Sequence, residues 1–133
     1  MNFKQVYNLK NDARIIKVIQ EASLDKSSYG GYRIENELLF GTIEWFNAIE
    51  NNIIPRHVIQ GVISKVYMSG HNDYPEFEIV SNGNKTIWTR EGNDEIYEVG
   101  KSIELIYVEQ KYKRPLNAIG TISKCVIEIS ISE

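Results

Sequence analysis

The sequence predicts an α+β fold, in which an N-terminal helical segment packs on a five-stranded antiparallel sheet of the small-barrel, OB-like type. An apolar stripe at helical spacing runs over residues 12–24. From residue 56 onward, short runs of alternating apolar and polar residues are separated by turn residues. The chain has 133 residues, so we expect a single domain with a helical part at 1–55 and a barrel-like part at 56–133.

The first helix is predicted over residues 12–24. Asn11-Asp12 offers a capping side chain, and apolar residues follow at intervals of three and four positions. The helix must end before Gly30-Gly31, because paired glycines indicate a turn that needs unusual backbone angles or a close approach.

Residues 32–52 carry two competing patterns. Leu38-Leu39-Phe40 suits a short strand, so we expect a strand near 37–41. Ile43, Phe46 and Ile49 recur at helical intervals, which favours a helix over 42–51. Pro55 then separates this helix from the sheet, because proline fixes φ and lacks a backbone donor.

Five strands are predicted in the second part of the chain. The strongest local signal is Asn82-Gly83 between two alternating runs, which is typical of a two-residue hairpin. The predicted strands cover residues 58–68, 76–80, 85–89, 102–109 and 119–131.

Composition and charge exclude several classes of protein. The chain is 42% apolar and 25% charged with a net charge of −3, which is typical of globular proteins and unfavourable for non-specific nucleic-acid binding. Cys125 is the single cysteine, so no intramolecular disulfide forms. No apolar run reaches signal-peptide or membrane-spanning length, and we therefore expect a cytoplasmic protein without a membrane segment.

One loop has the composition of a binding site. His71, Asp73 and Tyr74 follow one another closely between two predicted strands. An imidazole two residues from a carboxylate can bind a cation or polarise a substrate. The same residue types are common in any interstrand loop, and two ligands do not complete a metal site, so no metal is predicted.

A second candidate set combines aromatic faces with positive charge. Trp88, Arg90, Tyr112 and Arg114 are the residue types with which small barrels stack bases and hold phosphates. Interleaved glutamates weaken this interpretation, and aromatic residues in strands often serve packing instead. Trp45, together with the tyrosines beside Gly30-Gly31, is a candidate anchor for a protein partner.

A Gly-led strand, an aromatic-bearing strand that ends in a Gly turn, and the run Tyr-x-Val-Gly-x-x-Ile-x-Leu-x-Tyr follow one another in residues 59–118. These positions are Gly61, Phe77, Gly83 and Tyr97 to Tyr107, with Arg114-Pro115 after them. This region resembles a bacterial domain family of unknown function that is usually found beside transmembrane helices. The resemblance implies a small β-barrel and no catalytic residue, because every matched position is a turn glycine or a strand position.

The sequence contains no phosphate loop, nucleotide-binding glycine fingerprint, nucleophile elbow or zinc spacing. We therefore expect a non-enzymatic protein-interaction module without a cofactor, with a protein as its partner. Small size and acidic balance fit an accessory or immunity-like factor. The alternative is a small barrel that binds single-stranded nucleic acid or another anionic ligand. Both hypotheses are compatible with a homo-oligomer.

Overall fold

The computed structural model describes residues 2–71, 74–116 and 120–133. In these ranges the chain forms two α-helices, two short 3-10 turns and one six-stranded sheet. The helical elements are α1 (Ala13–Leu24), α2 (Ile43–Glu50) and the 3-10 turns Leu9–Asn11 and Asp94–Ile96. The strands are β1 (Phe3–Asn8), β2 (His57–Ser69), β3 (Tyr74–Ser81), β4 (Asn84–Thr89), β5 (Ser102–Leu116) and β6 (Gly120–Ser132).

The strands are ordered β1-β6-β5-β2-β3-β4. The α+β class and the antiparallel sheet are confirmed, whereas the prediction of five strands is wrong because there are six. The additional strand is β1, which lies in the part predicted to be helical. It pairs antiparallel with β6, from Phe3 opposite Ser132 to Asn8 opposite Glu128. The first three residues of β1 are exposed, and the strand is defined by its pairing with β6 rather than by a buried face.

The chain forms two compact units that alternate along the sequence. The sheet unit contains Met1–Asn8, Val58–Ile106 and Glu128–Glu133. The helical unit contains Leu9–His57 and Tyr107–Ile127. The prediction that the whole chain is one domain, like the similarity to an OB fold, stays a prediction.

In the sheet unit, alternation along the strands places one face in a core. Phe77 and Ile79 of β3 are fully buried, as are Ile103 and Leu105 of β5. The predicted hairpin is confirmed: Asn82 and Gly83 have φ values of 51° and 82°, as a primed two-residue turn requires.

The sheet of this unit is curled and open, a half-barrel. A Cβ atom built on Gly92, in the loop after β4, would lie 2.7 Å from the carbonyl oxygen of Val6 in β1. The loop after β4, one edge strand of the sheet, thus lies against β1, the edge strand at the other end. In the described strands no ladder joins β1 to β4, so the half-barrel is not closed by hydrogen bonds.

In the helical unit, side-chain caps fix where each helix begins. Asp12 Oδ1 accepts from the backbone N–H of Ile15 at 3.3 Å, and Thr42 Oγ1 accepts from that of Trp45 at 3.3 Å. Both predicted helices are confirmed.

The strand predicted near 37–41 is wrong. Asn36 and Glu37 have positive φ values of 53° and 62°, and Leu38 N–H donates to the carbonyl of Glu35 at 2.9 Å. These angles make a turn, because an extended strand requires negative φ. The apolar residues that suggested a strand pack inward instead, with Phe40 only 3% exposed.

Candidate functional site

The helical unit contains a groove with a volume of about 280 Å³, which we call the Trp45 groove. Five stretches of chain line it: the turn before α2, Trp45 of α2, the turn after α2, part of β5, and one residue of β6. The lining residues are Arg33, Glu35, Asn36, Leu38, Trp45, Ile53, Ile54, Pro55, Glu109, Gln110, Lys111 and Ile122.

Trp45 forms part of the groove wall from a fully buried position. Its ring lies 4.6 Å from that of Phe40 and 5.0 Å from that of Phe46, which it meets edge-on. These contacts and the Thr42 cap at the start of α2 fix the indole in place. Among the described residues its Nε1–H has no hydrogen-bond acceptor, which is uncommon for a buried polar atom.

The turn after α2 holds an apolar side chain out into solvent. Asn52 has a φ of 60°, and the N–H groups of Ile53 and Ile54 both donate to the carbonyl of Ala48, at 2.8 and 3.1 Å. Asparagine tolerates this left-handed conformation better than most residues. Ile53 is left 66% exposed at the groove, so its position is set by the backbone and not by burial.

One ion pair and one contact between a histidine and a carboxylate lie at the groove. Lys111 Nζ is 3.5 Å from Glu35 Oε1, and His57 Nε2 is 3.1 Å from Glu109 Oε1. The His57 ring also stacks on Tyr107 at 4.9 Å, and desolvation together with Glu109 raises the pKa of that phenol. The two carboxylates of the groove thus each have a basic neighbour.

Arg33 differs from those charged residues. Its backbone N–H donates to the carbonyl of Lys111 at 2.8 Å, which ties the turn before α2 to β5. Its side chain is exposed and makes no hydrogen bond or ion pair with the described residues. The groove therefore combines a partly apolar wall with an exposed cation, Arg33, that has no partner among the described residues.

The loop predicted as a binding site lies in the sheet unit. His71 is exposed in the turn after β2, and Tyr74 is 63% exposed at the start of β3. Asp73 lies outside the described residues, so the structure does not test the loop as a site. In the described ranges, no group of three or more His, Cys, Asp or Glu side chains could hold a metal ion.

The predicted aromatic and basic set is divided between the units. Trp88 of β4 is 7% exposed in the sheet unit, and its Nε1–H donates to Thr86 Oγ1 at 2.8 Å. Arg90 Nη2 donates to the carbonyl of Tyr67 at 2.9 Å, and Nη1 lies 3.9 Å from Asp94 Oδ2.

Tyr112 and Arg114 belong to the helical unit. Tyr112 forms an isolated bridge with Tyr32, with the two rings 5.9 Å apart. Arg114 Nη2 donates to the carbonyl of Lys26, and the guanidinium lies 4.9 Å from the ring of Tyr29. Both arginines of the set therefore bind backbone carbonyls of this chain, and a ligand-binding role for the set stays a prediction.

Sequence reasoning singled out Trp45 but missed the residues around it. Arg33, Ile53 and Lys111 belong to segments far apart in the chain, so no local motif joins them. One signal was present: Asn51-Asn52 followed by two isoleucines and a proline is typical of a helix that ends in a left-handed residue with apolar side chains in the next turn.

A small α+β chain with a partly apolar groove and unpaired donors has the features of a binding protein. The model of the family described as immunity protein RhsI2 matches residues 3–132, so the chain belongs to this family. No curated protein matches the chain.

Membership of an immunity family implies a protein partner, a toxin, and a role in binding without catalysis. The prediction of a protein-interaction module is confirmed at this level, and the family gives coarse support to the expectation of a non-enzymatic role. The small sheet-rich fold implied by the resemblance of residues 59–118 is confirmed, but the family proposed there and its link to transmembrane helices are not. None of the described helices has the length and apolar character needed to span a membrane.

Proposed function

We propose that this chain neutralises a toxin by forming a stoichiometric complex with it, and that the Trp45 groove is part of the contact surface. The observation that carries the proposal is the match of an immunity family over residues 3–132. Binding alone is sufficient for this function, so no reactive group is required of the chain.

The groove supports the proposal because it offers what the centre of a protein interface needs. Ile53 and Ile122 are 66% and 45% exposed and lie on the same groove. Burying one such side chain fully in a partner contributes roughly 1.5–3 kcal/mol. Charged residues at the groove then form a polar rim around an apolar centre, as in other protein interfaces.

The first experiment identifies the toxin. The tagged chain is purified from its native cells, its mass is measured by size-exclusion chromatography with light scattering, and co-eluting proteins are identified by mass spectrometry. The co-eluting protein is then produced on its own and expressed in a test strain with and without the chain. We expect it to stop growth alone and to be harmless with the chain present.

The second experiment tests the groove with a matched pair of substitutions. Ile53→Arg places a charge in the groove, whereas Val99→Arg places the same charge on an equally exposed residue of the sheet unit, since the two side chains are 66% and 64% exposed. We expect Ile53→Arg to weaken the complex by at least about tenfold and Val99→Arg to leave it unchanged. Equal protection by both variants would exclude the groove from the interface.

The proposal includes the cytoplasmic location expected from the sequence. Fractionation of native cells, followed by immunodetection of the chain, measures this directly. Recovery of the chain in another fraction would contradict the cytoplasmic location, and the chain would then have to bind its toxin in that other compartment.

A further inference from the structure

The two edge strands of the sheet unit differ in how they are protected. β1 has an irregular register between Gln5 and Tyr7, and the loop at Gly92 lies against the carbonyl of Val6. Bulges and covering loops are common ways of blocking a sheet edge. β4 pairs regularly with β3 over all of its six residues, and no described strand pairs with its other side. The edge at β4 is therefore the open one.

The pairing of β4 with β3 shows which backbone groups face outward at this edge. Just beyond the strand, Arg90 N–H donates to the carbonyl of Pro75 at 2.9 Å. In an antiparallel ladder, hydrogen-bonded and non-hydrogen-bonded pairs alternate, so every second residue bonds to the neighbouring strand. Counting back from Arg90, the N–H and C=O groups of Lys85, Ile87 and Thr89 point away from β3.

The side chains of the same three residues lie on the exposed face of the sheet. Ile87 is 57% exposed, and Lys85 and Thr89 on either side of it are exposed as well. Lys85 makes no hydrogen bond or ion pair with the described residues. A regular edge with an apolar residue at its middle can accept a further β-strand.

β4 of a second copy fits this edge in one register. When two copies pair antiparallel with Ile87 opposite its own counterpart, the outward backbone groups of the edge all meet partners and the two apolar side chains cover each other. A shift of two residues places Ile87 opposite Lys85 or Thr89 instead. A shift of one residue is excluded, because it sets the exposed face of one strand beside the inner face of the other.

Charge complementarity favours a second copy in this register. Thr89 then lies opposite Lys85 of the other copy, and within its own sheet Thr89 pairs with Glu76. Lys85 and Glu76 of different copies thus share one row, two strand spacings or about 10 Å apart at Cα, with only the small Thr89 between them. Within one chain the two charges are far apart, because Lys85 lies opposite Val80. On its other side Glu76 lies opposite Tyr67, which is not a cation.

We propose that this chain self-associates through β4, and that the sheets of two copies join into one across a two-fold axis, with Ile87 opposite Ile87 and each Lys85 facing Glu76 of the other copy. A short edge strand that carries a lysine limits pairing. The contact area is small, so we expect a dimer with a Kd in the micromolar range or weaker. This inference is independent of the proposed function, because it concerns the chain alone.

Analytical ultracentrifugation of the full chain over a series of concentrations measures the dimer. We expect the average mass to rise from one chain towards two. Ile87→Lys places like charges opposite each other and should weaken the dimer at least about tenfold. Val99→Lys is the matched control: it adds the same charge at another exposed residue of the sheet unit, 64% against 57% exposed, and should leave the dimer unchanged.

A mixture of two variants tests the register. In the dimer of Lys85→Glu each row holds two acids, and in that of Glu76→Lys each row holds two bases. We expect either variant alone to dimerise about three- to tenfold more weakly than the natural chain. Mixed in equal amounts, they form a heterodimer in which each row again holds one acid and one base, and we expect the affinity to recover. A variant that had lost its fold could not recover in this way.

Amide hydrogen exchange shows where the copies meet. At high concentration we expect slower exchange of the outward N–H groups of Lys85, Ile87 and Thr89. The N–H of Arg90 already donates to Pro75 and should exchange at the same rate at every concentration.

Three results would overturn the inference: a monomer at every concentration, a dimer whose β4 amides are not protected, or no recovery in the mixture of variants. A chain that is monomeric alone, but whose β4 amides are protected by a toxin, would assign this edge to the toxin and not to a second copy. None of these results bears on whether the chain neutralises a toxin, which the growth experiment measures separately.

Discussion

The sheet unit and the helical unit differ in how many of their non-glycine residues adopt positive φ. In the sheet unit, regular alternation buries Phe77 and Ile103, and the one described non-glycine residue with positive φ is Asn82 of the hairpin turn. In the helical unit, Asn36, Glu37 and Asn52 all have positive φ.

The units also differ in charge. The sheet unit holds five Lys and Arg against ten Asp and Glu, whereas the helical unit holds ten against eight. Unusual backbone angles cost free energy, and such residues cluster where function depends on a particular geometry. The turns at Asn36 and Asn52 line or adjoin the Trp45 groove, so the unusual backbone angles of the helical unit lie at the contact surface proposed above.

The largest expected effect comes from a pair of glycines with the same backbone conformation. Gly31 in the helical unit has a φ of 88°, and a Cβ there would lie 2.5 Å from the backbone nitrogen of Ser23. Gly83 in the sheet unit has a φ of 82° and open space around it. We expect Gly31→Ala to cost about 2–4 kcal/mol in the free energy of unfolding, and Gly83→Ala about 1 kcal/mol.

Urea unfolding measures both variants. Equal losses would mean that the close approach at Gly31 relaxes easily, and that the helical unit is less tightly constrained than its backbone angles indicate.

A smaller effect is expected from the cap of α2. Thr42→Ala removes the acceptor of the Trp45 N–H, and we expect a loss of about 1 kcal/mol in the free energy of unfolding. Thr42→Ser keeps the acceptor and is the control. The Trp45 indole signal should broaden or shift in the alanine variant only. An unchanged indole signal in the alanine variant would show that the Thr42 cap does not position the Trp45 side chain.

The smallest expected effect is a loss of folding stability at high pH, and it comes first from Cys125 of the helical unit. Burial raises the pKa of the Cys125 thiol above its ordinary value of 9.0, so the folded chain keeps its proton when the unfolded chain loses it. The contribution of this group to stability is fully present well below pH 9.0, where the thiol is protonated in both states, and it falls as the pH rises above 9.0.

Cys125→Ser should remove this loss, and urea unfolding between pH 8 and 10 on both chains measures it. In the sheet unit, burial raises the pKa of Tyr97 above its ordinary value of 10.0. The stability that this phenol contributes therefore begins to fall at a higher pH than that of Cys125. The same pH profile in Cys125→Ser as in the natural chain would show that the thiol does not titrate as its burial requires.

How far the sequence predicts this molecule depends on how local each feature is. The Asn82-Gly83 hairpin and the helix capped by Asp12 depend on neighbouring residues, and both were predicted. β1 was missed because its partner β6 lies more than a hundred positions away, as Lys4 opposite Ile131 illustrates. Leu38-Leu39-Phe40 was wrongly assigned to a strand, because apolar residues in a turn give the same local pattern.

The site was less predictable than the fold. Trp45 could be named as an anchor because tryptophan is common at interfaces. Neither its unpaired Nε1–H nor the presence of Arg33 on the same groove could be inferred, because both follow from which distant segments lie beside α2. Arg90 and Arg114 show the reverse: their type suggested a ligand, whereas each binds a carbonyl of its own chain.

The pairing of β1 with β6 also sets the order in which the chain can fold. These strands are separated by most of the sequence, so bringing them together costs loop-closure entropy before any pairing compensates for it. Chains dominated by such long-range pairs fold slowly, in milliseconds to seconds. During synthesis β1 waits unpaired until β6 has left the ribosome, and until then its backbone groups are open to other chains. If the chain protects against a toxin as proposed above, we expect that protection only after β6 has been synthesised and has paired with β1.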